Sequence, residues 1–241
     1  MPALLLHSVK MVKPPLILLA IVAVTTGGFF LWRDWMGWDA GMRQPRSEIH
    51  AAAQGDKIYV AGGIGLMRVL DSCEVFDIVS QSWSDCGALP RPLHHVAMAA
   101  DQDRVYASGG YIALPFKQDR DAALFVLEPE TGQWRERAKL PHPIGQHAMM
   151  HREGTLYIIG GQNGSKELSS LWAYDIPSGD WTERAPMPTP RHSHAIAVTD
   201  DKLYVSGGRS AALGTEIDVV EVYDFAENSW TTLPPMPTGR G

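Results

Sequence analysis

The chain has 241 residues, 45% hydrophobic and 20% charged, with 23 Gly, 17 Pro and 8 Trp and a formal net charge of −6. This composition excludes a disordered chain, a coiled coil and a collagen-like fibre, and it favours strands and turns over long helices. The acidic balance argues against nucleic acid as a partner.

Leu16 to Trp32 is a run of 17 uncharged, mostly apolar residues preceded by Lys10 and Lys13. A basic segment followed by an apolar one predicts an export signal over 1–32, either cleaved or kept as a membrane anchor through 16–32. Trp32, Trp35 and Trp38 suit an interfacial aromatic belt, and the lysines keep the amino end on the cytoplasmic side. The expected location of the rest is therefore exported, either anchored or periplasmic/extracellular. Residues 33–45 read as a linker or as the outer strand that closes a last blade.

A fixed period follows. Apolar strands end in glycine pairs at Gly62-Gly63, Gly109-Gly110, Gly160-Gly161 and Gly207-Gly208, and a tryptophan follows each pair, at Trp83, Trp134, Trp181 and Trp230. Six residues before each tryptophan stands an acid: Asp77, Glu128, Asp175 and Asp224. From tryptophan to the next glycine pair the distance is always 26, whereas from glycine pair to acid it is 15, 19, 15 and 17. Length therefore varies in one connection, which marks that loop as a surface tolerant of insertion.

Each unit predicts four short antiparallel strands, a to d. In the first repeat these are a near His50–Ala53, b at Lys57–Ala61, c near Cys73–Phe76 and d near Ser82–Asp85. The glycines let the backbone leave strand b where a Cβ would obstruct it, and the tryptophans have the area to fill the space between neighbouring sheets. A repeat of this length and pattern resembles the kelch family of β-propellers, over Arg46 to Arg240. The resemblance implies an all-β fold of four four-stranded antiparallel blades at 46–241. Kelch rings usually have six or seven blades, so the expectation is an incomplete ring, with an intact four-bladed ring as the alternative. Both ends of the repeat region, Met42–Arg46 and Met236–Arg240, fall at the same phase.

The two cysteines lie in the first repeat. If strands c and d pair Phe76 with Trp83, the same register sets Cys73 opposite Cys86, within disulfide range. Export supplies the oxidising compartment.

In a kelch-like blade the b–c loop and the d–a crossover emerge on one face, around the mouth of the central channel. Aligned on the glycine pairs, Arg46, Leu93, Ile144 and Arg191 share one position, and Glu48, His95, Gln146 and Ser193 share the position two later. The polar members, Arg46, Glu48, His95, Gln146, Arg191 and Ser193, predict a rim for a polyhydroxylated or anionic ligand. The loop 111–123 adds Tyr111, Phe116, Lys117 and Arg120 as binding candidates. His147 and His194 occupy the family's usual histidine position, where hydrogen bonding between blades is the simplest role. The histidines are spread over blades without a metal-ligand spacing, so no metal and no cofactor is expected.

Of two function classes the first is the expected one and the second its alternative. The first is a binding module outside the membrane for a protein or glycan. The second is a sugar mutarotase similar to the exported N-acetylneuraminate epimerases, with Glu48 as base and His95 or Arg191 as acid or carboxylate clamp.

Overall fold

Each repeat folds as a four-stranded antiparallel meander, as the alternation and glycine spacing predict. The structure is a computed structural model that describes residues 41–66, 68–112 and 119–241. The apolar stretch 16–32, most of the 33–45 linker and the loop residues Phe116 and Lys117 lie outside the described residues. Among the described residues, no helix is long and apolar enough to cross a membrane.

The first repeat contains β1 (Ala51–Gln54), β2 (Lys57–Ala61), the short pair β3 (Ile64–Gly65) and β4 (Arg68–Val69), then β5 (Ser72–Asp77) and β6 (Ser82–Ala88). The second contains β7 (Ala97–Ala100), β8 (Val105–Ser108), β9 (Ala123–Glu128) and β10 (Gln133–Lys139). The third contains β11 (Ala148–Arg152), β12 (Thr155–Ile159), the pair β13 (Gln162–Asn163) and β14 (Lys166–Glu167), β15 (Leu171–Asp175) and β16 (Trp181–Arg184). The fourth contains β17 (Ala195–Val198), β18 (Lys202–Ser206), the pair β19 (Arg209–Ser210) and β20 (Gly214–Glu216), β21 (Val220–Asp224) and β22 (Ser229–Leu233). The four sheets have the orders β1-β2-β5-β6, β7-β8-β9-β10, β11-β12-β15-β16 and β17-β18-β21-β22, so the described chain is a kelch-type β-propeller array of four blades. Strand a of the first repeat starts one residue later than expected, and strand d extends three residues further.

Side chains on alternate faces of each sheet pack against the neighbouring blades. Tyr59, Val75 and Ala61 of blade 1 share a buried cluster with Val105, Phe125 and Trp134 of blade 2. Tyr106 and Val126 meet Leu156, Ile158 and Tyr174 of blade 3. Tyr157 and Ala173 meet Leu203, Val205 and Tyr223 of blade 4. Trp134, Trp181 and Trp230 do fill this space. Trp134 is buried and donates its indole N–H to the Cys86 carbonyl of the preceding blade (3.2 Å), and Trp230 donates to Ala185 O (2.7 Å). Each also packs on the aromatic opposite it where one is present: Phe76–Trp83, Tyr174–Trp181 and Tyr223–Trp230 have centroids 5.2, 4.8 and 5.2 Å apart. Innermost strand β7 is largely buried between blades, whereas β17 is exposed along most of its length.

The glycine pairs have a double task. The first glycine takes φ between 56° and 67° and the second 97° or 98°, where a side chain is strained. The second glycine's N–H then donates to the crossover that leads into the next blade: Gly63 to Leu93 O, Gly110 to Ile144 O, Gly161 to Arg191 O and Gly208 to Arg240 O, all 2.8–2.9 Å.

Cys73 and Cys86 form a disulfide with Cα atoms 5.0 Å apart. The ladder there is not the straight one expected. Phe76 does face Trp83, but a bulge moves Ser72 opposite Ala88, with Gly87 at φ 80°. The bulge adds one residue to the outer strand and still leaves Cys86 in reach of Cys73.

Candidate functional site

The crossover and the b–c loop of each blade are stitched together on one face. Isolated bridges join Ser47 to Ile64, His94 to Tyr111, Gly145 to Gln162 and His192 to Arg209. One residue beyond each bridge, Glu48, His95, Gln146 and Ser193 all adopt left-handed backbone, with φ of 56°, 54°, 56° and 53°. Glycine or asparagine is the usual occupant of this conformation, and other residues hold it at a cost of about 1 kcal/mol or more. The chain places four other polar residues there. Backbone bonds link successive members across blades: His95 N–H donates to Glu48 O and Ser193 N–H to Gln146 O, both 2.9 Å.

Their side chains join a network across three blades. His95 Nε2 lies 2.6 Å from Glu48 Oε2, and its Nδ1 faces Nδ1 of His94 at 2.7 Å. Burial pushes His95 down to about 4, and the imidazoles of His94, His50 and His192 add to this. A neutral His95 then donates Nε2–H to Glu48 and accepts at Nδ1 from His94. Tyr111 lies between the blades. Its hydroxyl donates to Gln146 Oε1 (3.0 Å) or Gln162 Oε1 (3.2 Å), His94 stacks on its ring and Arg120 covers it at 4.9 Å. Arg120 also donates to Gly164 O at 2.6 Å. A second, smaller group sits between blades 3 and 4. His192 Nδ1 is 3.0 Å from Ser193 Oγ, and Glu167 accepts from Ala211 N–H (2.8 Å).

Glu48, His95, Gln146, Tyr111 and Arg120 are thus brought into one network, with Ser193 attached to it through the backbone. Arg46 and Arg191 are elsewhere, because both guanidinium groups are fully buried within their own blades. Arg46 pairs with Glu74 at 2.5 Å and donates to Gly62 O and Ser72 O. Arg191 pairs with Glu221 at 2.7 Å and donates to Gly207 O and Val219 O. They tie strands b and c to the crossover and present no group to a ligand, so the acid or clamp role considered for Arg191 has no access to solvent. Blades 2 and 3 have apolar residues at both positions, Leu93 with Phe125 and Ile144 with Trp172. Sequence reasoning missed His94 and Gln162; the signal was their place beside the aligned columns, one residue after the Arg46 column and one after the glycine pair.

His147 makes the expected bond between blades, with Nε2 2.8 Å from Ser108 Oγ. His194 does not: Ile159 stands where Ser108 would, and neither ring nitrogen has a partner among the described residues. Burial drives both down to about 3. Among the described residues, no group of three or more His, Cys, Asp or Glu is gathered to hold a metal ion.

Three large apolar side chains are exposed on the b–c loops: Leu66 at 94% exposure between β3 and β4, Leu213 at 59% between β19 and β20, and Ile112 at 41%.

The model of the KLHDC2/KLHL20/DRC7 Kelch-repeats domain matches twice, over residues 33–185 and 87–240. The chain belongs to the kelch-repeat family. Similar relatives include human Kelch-like protein 34 (32% identical, covering 50% of this chain and 19% of that protein) and bovine Kelch-like protein 36 (30%, covering 57% and 22%). Beta-scruin of Limulus polyphemus is 25% identical over 60% of this chain and 16% of that protein. The matched kelch region therefore spans about a fifth of the length of these curated relatives.

Proposed function

We propose that this kelch array is a protein-interaction module whose contact face carries the b–c loops and d–a crossovers. One observation carries the reading: Glu48, His95, Gln146 and Ser193 hold left-handed backbone without being glycine. Polar side chains kept at four strained, aligned positions point to a use for those side chains at the mouth of the array. The apolar tips Leu66, Leu213 and Ile112 stand on the same loops and supply area for a partner to cover. The Cys73–Cys86 disulfide and the uncharged stretch 16–32 further support an exported chain. Recovery of the kelch region only in the cytoplasmic fraction, and not at the cell surface, in the medium or in the periplasm, would count against export.

The test is binding of the purified chain to a peptide array and, in parallel, to a glycan array. Peptides are expected to bind, with affinity reduced about tenfold by Leu66→Asp or Leu213→Asp at unchanged melting temperature. Binding to glycans alone transfers the face to a sugar ligand, and binding to neither overturns the reading.

A further inference from the structure

Among the described residues, no lysine or arginine pairs with the Glu48 carboxylate. Its side chain is 47% exposed at the mouth, and among the described residues its partner is His95 alone. The cations near it in sequence or in the network are engaged elsewhere. Arg46 is buried against Glu74, and Arg120 covers the Tyr111 ring and bonds to Gln162 and Gly164. His95 orients the carboxylate by one N–H bond of 2.6 Å. The backbone beneath is held as well, since Glu48 O accepts the His95 N–H across the blade interface. Farther out, Arg68 and Lys166 stand exposed on the ribbons β3–β4 and β13–β14. Glu48 is thus a half-exposed carboxylate held by His95, and the b–c loops of the two blades that supply this pair also carry the exposed Leu66 and Ile112.

We propose that Glu48 receives one lysine or arginine side chain of the bound partner segment, whose apolar neighbours cover Leu66 and Ile112. This rests on the interaction reading above and adds the chemistry of the ligand. Arg68 stands exposed on the ribbon that carries Leu66 and would repel a polybasic run, so a single basic residue between apolar ones is the preferred pattern.

The probe is a peptide array of leucine-flanked sequences that carry Arg, Gln or Glu at the centre, or four successive Arg, read with the full chain. Central Arg is expected to bind about fivefold tighter than Gln, with Glu and the polybasic series weaker still. Glu48→Gln is expected to erase the Arg preference and Glu48→Asp to keep it. Replacing the peptide's Arg by Gln gives the same loss without altering the protein, so the proposal stays falsifiable even if Glu48→Gln misfolds. Peptides that bind without an Arg preference, or a preference that persists in Glu48→Gln, overturn the cation subsite and leave the interaction face standing. A folded chain that binds no peptide overturns both.

Discussion

The buried Arg191–Glu221 pair can be exchanged for the apolar pair that blade 2 uses at the same positions. Both side chains have 0% exposure, so Glu221→Phe alone strands a guanidinium in the core, and Arg191→Leu alone strands a carboxylate. Breaking a buried pair on one side costs about 3–5 kcal/mol. Glu221→Phe with Arg191→Leu removes both charges and recreates Phe125 with Leu93, which pack within one apolar cluster. What remains lost is the guanidinium bond to Gly207 O, since Val219 O still accepts from Gly207 N–H, and the bond of the half-buried Thr189 hydroxyl to Glu221, which water can replace; the bond of a carbonyl to a charged donor is worth about 1.5–3 kcal/mol. The double variant is therefore expected to be more stable than either single variant, by about 1–3 kcal/mol. At about 2–4 °C per kcal/mol for a domain of this size, that is several degrees in a thermal melt. Strictly additive losses, with the double variant melting below both singles, would refute the idea that the two polar residues act as one strut.

Further expectations follow from particular residues. Cys73→Ser with Cys86→Ser closes no 13-residue span and is expected to lower stability by about 3 kcal/mol in denaturant melts. Two reactive thiols in denatured, unreduced wild-type protein would instead show that the bridge does not form. His147 and His194 are held neutral with pKa lowered to about 3, so the unfolded chain binds more protons between that value and 6.5. Their stabilising contribution is present above pH 6.5 and lost as pH falls, about 2 kcal/mol each at pH 5. His194→Val is expected to flatten that acid dependence and to stabilise the fold, because it removes two unpartnered ring nitrogens. Gly109→Ala places a Cβ against the Ile144 carbonyl and His147 in left-handed backbone, and a loss of more than 2 kcal/mol is expected by melting; a smaller one would mean the crossover yields easily.

The fold was legible because its punctuation is local. Glycine at φ near 60° and 98°, and a tryptophan opposite Phe76, Tyr174 or Tyr223, recur at constant spacing, so strand order and the Phe76–Trp83 register could be read directly. The bulge at Gly87 was less visible, since one inserted residue changes the ladder without changing the residue types. The site was only half legible. Aligning the repeats found Glu48, His95 and Gln146, whose common feature proves to be backbone conformation. It misplaced Arg46 and Arg191, whose acidic partners lie 28 and 30 residues downstream on strand c. Comparing that strand column, Glu74, Phe125, Trp172 and Glu221, would have shown arginine and glutamate arriving together and leaving together.

The bond from each second glycine to the following crossover has a consequence for how the array melts. Blade 1 completes its inner edge with Leu93, blade 2 with Ile144 and blade 3 with Arg191, so no blade owns all the parts that close it. Neighbours are coupled pairwise, as in a one-dimensional chain of spins, and an opened blade weakens the one before it. Hydrogen exchange should therefore show protection of Gly110 and Gly161 failing together with the blade that follows them.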